Sequence, residues 1–220
     1  MKLITTLCLS LWISFSWAQE SFSGVVHYRI AVIERNPSLM GSKPPLPGET
    51  SKFYYKNGNY LQMFAGGVLD FEYFNTVENK YYLKSVDSDT IQYYDTREND
   101  DQKLIKLESH PDTKRILGKR CTSIALTAQN LSLGYHYRMK FYYADQPRVD
   151  ASVFKGHKHG FIDQVYGSTG AIPLEIDFEM GEIIIRMTAI KIEAIPAEKL
   201  SLGAFFEKKK KECLIIEGEE

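Results

Sequence analysis

Neither sign of charge dominates this chain, in which 27 lysines and arginines stand against 28 aspartates and glutamates. Such a balance creates no overall field to recruit nucleic acid or an acidic surface, so no nucleic-acid partner is expected. Catalytic signatures are lacking as well. There is no Gly-x-Ser-x-Gly elbow, no His-Glu-x-x-His and no phosphate loop ending in Gly-Lys-Ser/Thr, so nothing positive points to an enzyme or a cofactor. After residue 18 no stretch approaches the roughly twenty apolar residues that span a bilayer, and no transmembrane segment is expected there. Cysteine is scarce, with three in all and only Cys121 and Cys213 beyond the opening segment. In an oxidising compartment these two can pair and tie the tail to a sheet. Otherwise Cys121 is a buried strand thiol and Cys213 sits on a loose tail.

The opening segment reads as an export signal. Lys2 precedes an apolar run from Leu3 to Trp17, and Ser16 and Ala18 supply the small residues a signal peptidase reads, which places the cut after Ala18. Cys8 lies inside the run and not just after it, so a lipid anchor is not expected. The reading is a periplasmic or secreted protein, with one domain over residues 19–206 and a charged tail over 207–220.

Aromatic residues are abundant, with 14 tyrosines and 12 phenylalanines. They suit pleated, half-wet surfaces and favour a β-rich protein. The clearest pattern runs from Ile172 to Ile195. Ile172, Leu174, Ile176, Phe178 and Met180 share one parity, while Glu175, Asp177 and Glu179 share the other. After Gly181-Glu182 the alternation resumes through Ile183, Ile185, Met187 and Ala189, predicting a long antiparallel hairpin. Beyond Ala189 the apolar phase slips, which predicts a bulge. On this reading the carboxylates of Glu175 and Asp177 lie on the wet side of a sheet and are no acid/base pair.

Other segments follow the same logic. Val26, Tyr28, Ile30 and Val32 alternate in a first strand. Residues 36–49 hold Pro37, Pro44, Pro45 and Pro47 with Gly41 and Gly48, a surface loop of connecting or lid character. Asn57-Gly58 between aromatic runs predicts a hairpin, and a meander of short strands continues to Asp95. Leu104 to Glu108 is a strand ended by a break at Pro111-Asp112. Ile124, Leu126 and Ala128 share one face of the next strand. Its partner places Tyr135, Tyr137, Met139, Phe141 and Tyr143 on one side and His136, Arg138 and Lys140 on the other. Residues 149–166 lack a clean period and suit one short helix capped by Asp150. Pro196 to Leu200 suits a second, after which Leu202, Phe205 and Phe206 are placed to dock on the sheet. Lys208 to Lys211 read as a solvated charge run, with contact to anionic lipid or protein as the alternative.

The candidate metal residues are His157 and His159, whose spacing lets two imidazoles share one ion in an extended segment. A third ligand would have to come from Asp163, His27 or His136, and the plain alternative is a pair of exposed loop histidines. The candidate binding residues are Tyr137, Met139, Phe141, Leu174, Ile176 and Phe178, taken from the apolar parity of the Tyr135–Tyr143 strand and of the Ile172–Ile195 hairpin.

Two stretches carry a family resemblance. Lys114-Arg115-Ile116-Leu117-Gly118-Lys119-Arg120-Cys121-Thr122 resembles an Ile-x-Gly-x-x-Cys strand entry, and Gly170-Ala171-Ile172-Pro173-Leu174-Glu175-Ile176, with Thr188-Ala189-Ile190, resembles a Gly/Pro-containing strand and its closing threonine-alanine. Both are similar to the secreted bacterial proteins grouped as DUF4412 and the related group named for its GLPGLI motif, although the full Gly-Leu-Pro-Gly-Leu-Ile string is absent. The resemblance implies a mainly β fold: one curved antiparallel sheet forming an incomplete barrel, similar to the lipoprotein carrier LolA, with one or two short helices and helix on the concave side. It implies no reaction and no functional residue. The function expected is an exported module holding a lipid or other apolar ligand on the concave face; the alternative is an envelope structural or interaction protein with no small ligand.

Overall fold

The structure, a computed structural model, describes residues 21–34 and 45–218. The export signal and most of the proline-rich segment lie outside the described residues. Twelve strands are found among those described: β1 (Gly24–Glu34), β2 (Thr50–Lys56), β3 (Asn59–Ala65), β4 (Leu69–Asn75), β5 (Lys80–Ser85), β6 (Thr90–Asp95), β7 (Gln102–Ile116), β8 (Lys119–Asn130), β9 (His136–Tyr143), β10 (Glu175–Met180), β11 (Ile183–Ala194) and β12 (Leu214–Glu217). They form one curved, open sheet in the order β12-β6-β5-β4-β3-β2-β1-β11-β10-β9-β8-β7, which does not close into a barrel. Two short helices are added, α1 (Ile162–Thr169) and α2 (Leu202–Lys210).

Sequence-adjacent strands pair through tight turns nearly everywhere, and the break in that rule sets the architecture. β1 lies in the middle, between β2 and β11, so the chain's two meanders spread outward from it. At the tip of the β2–β3 hairpin, Asn57 (φ 49°) and Gly58 (φ 85°) take the left-handed conformations that an Asn-Gly turn predicts. A side chain at Gly58 would also strike Val153 at 2.7 Å, so this corner lets a covering segment pack down. The slip after Ala189 is a true bulge: Tyr28 faces Ala189 and His27 faces Lys191, leaving Ile190 unpaired and half-exposed.

Because directly opposed residues share a face, the register divides the sheet cleanly. One face carries Tyr28, Phe53, Tyr60, Phe74, Phe141, Ile176 and Met187, and it is covered by the segment between β9 and β10. The opposite face of β3 to β6 carries Leu61, Phe71, Tyr73, Tyr82 and Ile91, onto which α2 docks Leu202 and Phe206. The Phe206 ring lies 4.5 Å from Tyr73 and 4.4 Å from Tyr82. Burying a side chain of this size contributes about 2 kcal/mol.

Several expectations need correction. Proline does not end β7. It runs through Pro111 with a register irregularity between His110 and Lys114, which an edge strand tolerates because its outer N–H groups need no partner. Residues 149–166 hold more than one helix: 3-10 turns at Ala151–Phe154 and His159–Phe161, then α1. Pro196 to Leu200 contains only a 3-10 turn at Ala197–Lys199. The described part of the tail, 207–218, is not loose. It includes the end of α2 and then β12, which pairs with β6 in parallel, a departure from the all-antiparallel sheet expected. Cys121 and Cys213 are both free thiols, in separate apolar clusters.

Candidate functional site

The segment from Ala144 to Leu174 crosses the concave face and is fixed by residues at both ends. Asp150 caps its first 3-10 turn by accepting from the Ser152 N–H at 2.9 Å. The turn points Phe154 inward, fully buried, where it stacks on Tyr166 of α1 at 4.2 Å. Further on, the Tyr28 hydroxyl of β1 donates to the Pro173 carbonyl at 2.6 Å, and the Ile172 N–H donates to the Pro147 carbonyl. The cover is held by packed rings and by hydrogen bonds in dry surroundings, where each is costly to lose.

Beneath it remains a cavity of about 290 Å³. Met139 and Phe141 of β9, Ile176 and Phe178 of β10, and Ile185 and Met187 of β11 form one wall. Ile162, Val165 and Tyr166 of α1 form the roof, and Phe53, Tyr60 and Phe64 of β2 and β3 form the far end with Gln62 and Glu72. Its volume sits near the lower limit of ordinary small-molecule sites, about 300 Å³, and its lining is largely apolar with few polar groups, as such sites are.

Four of the predicted binding residues, Met139, Phe141, Ile176 and Phe178, are therefore brought together on this wall. Tyr137 shares their parity but does not line the cavity. It packs against Phe178 at 5.5 Å and donates its hydroxyl to Gln102 at 2.7 Å, filling the space between β7 and β10. Leu174 is fully buried in the core and also contributes no cavity surface. It precedes β10, where its N–H donates to the Tyr142 carbonyl and its carbonyl accepts from the Ala189 N–H.

The histidines depart from both readings of them. His157 is buried, with Nε2 2.9 Å from the Tyr60 hydroxyl and its ring 4.2 Å from Phe74. Burial pushes its pKa down to about 3, with His159 adding to the effect, so it is neutral. His159 lies between Tyr81 and Tyr94 at 5.3 and 5.5 Å, and burial lowers its pKa too. These imidazoles are held by rings. Among the described residues no cluster of three metal-capable side chains forms.

Sequence reasoning missed Glu72. It stands directly opposite Gln62 on β3, which in turn stands opposite Phe53 on β2, so three adjacent strands present a polar-aromatic row to the cavity. Glu72 also lines a second opening, with Tyr81, Tyr94, Asp101 and His159. Burial pushes its carboxyl up to about 7, against the opposing hydrogen bond from Tyr81. Nothing in the alternation of β4 marks this charge as different from any other, because the row exists only once β3 is in register.

The carboxylates expected on the wet side are dry. Glu175 and Asp177 are 1% and 4% exposed. Glu175 accepts from Lys114 at 2.5 Å and from Thr188 at 2.9 Å, while the Arg186 guanidinium grips Asp177 through two bonds of 2.6 and 2.7 Å. Tyr142 and Lys140 on β9 and Thr188 and Arg186 on β11 directly oppose the pair. Packed beside them, the stems of Lys140, Arg186 and Tyr142 shield the two carboxylates from water. Neither a protein-family model nor a characterised protein matches the chain.

Proposed function

We propose that this is an exported binding module that carries a small apolar molecule in the cavity beneath the Ala144–Leu174 cover. The single observation that carries the reading is that largely apolar cavity of about 290 Å³, walled by Met139, Phe141, Ile176 and Phe178. Rings and aliphatic groups pack much of that face, so leaving space here forgoes contacts that a packed interior would make. A ligand restores them. The opening segment with its Ser16 and Ala18 supports export. The resemblance to the DUF4412 and GLPGLI groups supports the half-barrel carrier architecture and no reaction.

The test is mass spectrometry, under native conditions and after solvent extraction, of protein purified from its own host. An apolar molecule at near-stoichiometric yield is expected from the natural sequence, and its loss is expected from Ile176→Trp, which fills the wall. Equal, empty spectra from both proteins would overturn the proposal.

A second reading, an envelope interaction protein, is favoured by one observation. The open edge strand β12 exposes Leu214 and Ile216, at 68% and 41%, and such an edge can accept a partner strand. Leu214→Lys with Ile216→Lys would abolish capture of a partner on this reading. Deleting residues 206–220 is a poorer test because it removes buried Phe206.

A further inference from the structure

The cavity has two chemically different ends, and the difference restricts what it can hold. Its body is aliphatic and aromatic. Its far end carries two acceptor groups on neighbouring strands, the Glu72 carboxyl and the Gln62 amide oxygen. The Gln62 amide nitrogen is already committed to the Ser51 hydroxyl at 2.9 Å, which leaves the carbonyl oxygen to face a guest. Around these acceptors stand the rings of Phe53, Tyr60 and Phe64. Among the described residues lining the cavity there is no lysine, arginine or histidine.

A carboxylate or phosphate head entering this end would meet a like charge and no counter-ion, at a cost that low dielectric magnifies. A cationic head meets a carboxylate, an amide oxygen and three ring faces, each of which attracts it. We infer that the cavity takes a single-chain amphiphile with an ammonium head, which donates hydrogen bonds to Glu72 and Gln62 while its chain lies along Met139, Phe141 and Ile176. The volume accommodates one chain and not the two of a membrane phospholipid. This inference rests on the cavity being a ligand site and adds the chemistry of its head group.

The carboxyl gains a further role from its surroundings. Half-buried and, among the described residues, held by the Tyr81 hydroxyl, it is pushed up to about 7 by desolvation, so a cation that pairs with it also relieves the desolvation of its charge. The other titratable groups facing it are Tyr60 on β3 and Tyr81 on β5, with Tyr94, Asp101 and His159 across the second opening. The tyrosine hydroxyls have pKa values raised by burial and stay neutral, and His159, lowered by burial, carries no charge at neutral pH. Glu72 is thus the group whose ionisation decides the preference near neutrality.

The experiment loads the full chain with the uncharged fluorescent probe N-phenylnaphthylamine and displaces it with decylamine, decanol or decanoate, each below its micelle concentration. Decylamine is expected to displace the probe about tenfold more tightly than decanol at about pH 8, with decanoate weakest, as one desolvated charge pair would produce. Glu72→Gln should erase the gap between amine and alcohol. The gap should also shrink in the natural protein as pH falls to about 5.5, because Glu72 gains its proton, and this arm decides the matter if the variant does not fold. Probe uptake with equal displacement by all three, or a gap that ignores pH, overturns the ammonium head and leaves the cavity reading intact. No probe uptake overturns both.

Discussion

The two faces of this sheet bury acidic groups in opposite ways. On the outer face Glu175 and Asp177 are enclosed, yet every carboxylate oxygen among them accepts from Lys114, Arg186 or Thr188. On the inner face Glu72 has, among the described residues, a tyrosine hydroxyl and no lysine, arginine or histidine beside it in the cavity, and desolvation raises its pKa to about 7. Burial alone therefore does not mark a functional charge. The outer carboxylates have their counter-ions in the fold, so they lock three strands together; the inner one lacks them, which is the condition under which a ligand can supply one.

The largest effect should come from breaking the outer network. Arg186→Ala strips Asp177 of both its hydrogen-bond donors, with only Lys140 left opposite it, and leaves Glu175 with Lys114 and Thr188. The expected loss is about 3 kcal/mol in urea unfolding, at the lower end for broken buried pairs because Arg186 itself keeps some exposure. Arg186→Leu with Asp177→Leu should recover much of that loss, since removing both partners leaves no orphan charge. If the single variant proved as stable as the natural chain, the outer carboxylates would not be enclosed as described.

Glu72 should do the reverse. Its folded pKa, about 7, exceeds the ordinary value of 4.5, so between those values the folded chain holds more protons than the unfolded one. Stability contributed by the protonated form is complete below 4.5, falls as pH rises through about 7 and then levels. The fall is on the order of 2 kcal/mol, reduced from the full shift because the side chain retains some solvent contact through the cavities. Glu72→Gln should flatten that part of the curve and equal or exceed the natural protein in stability at about pH 8. A natural protein whose unfolding midpoint stayed level across this window would remove the contrast between the faces.

The alternation of residues two apart was enough to place most strands, because each hairpin depends on local chemistry such as Asn57-Gly58 or Gly181. It also identified Met139, Phe141, Ile176 and Phe178 as sharing a side. What it got wrong is the reverse side of that hairpin, taken as wet and found dry at Glu175 and Asp177. Glu175 reads as a wet residue until Lys114, 61 positions away, is brought over it, and no local pattern carries that separation. α2 was hidden for a different reason. Its buried anchors are only Leu202 and Phe206, one turn apart, and the four lysines that follow outweigh them in any composition window. Glu72 could not be distinguished in principle from sequence alone, since its neighbours in space are set by the β3–β4 register.

The smallest effect belongs to the bulge, and it sharpens the contrast by leaving both faces as they are. Ile190 is the extra residue between the Tyr28–Ala189 and His27–Lys191 pairs, and it is 51% exposed. Deleting it yields a continuous ladder in which Val26 still faces Ile192 and Arg29 still faces Thr188, so no side chain changes face. The cost is the local twist that a bulge adds, expected at less than about 1 kcal/mol. Urea unfolding should show this small change, and the pH response due to Glu72 should persist. A loss as large as that of Arg186→Ala would mean that the bulge, and not the ion pairs alone, holds the outer network in register.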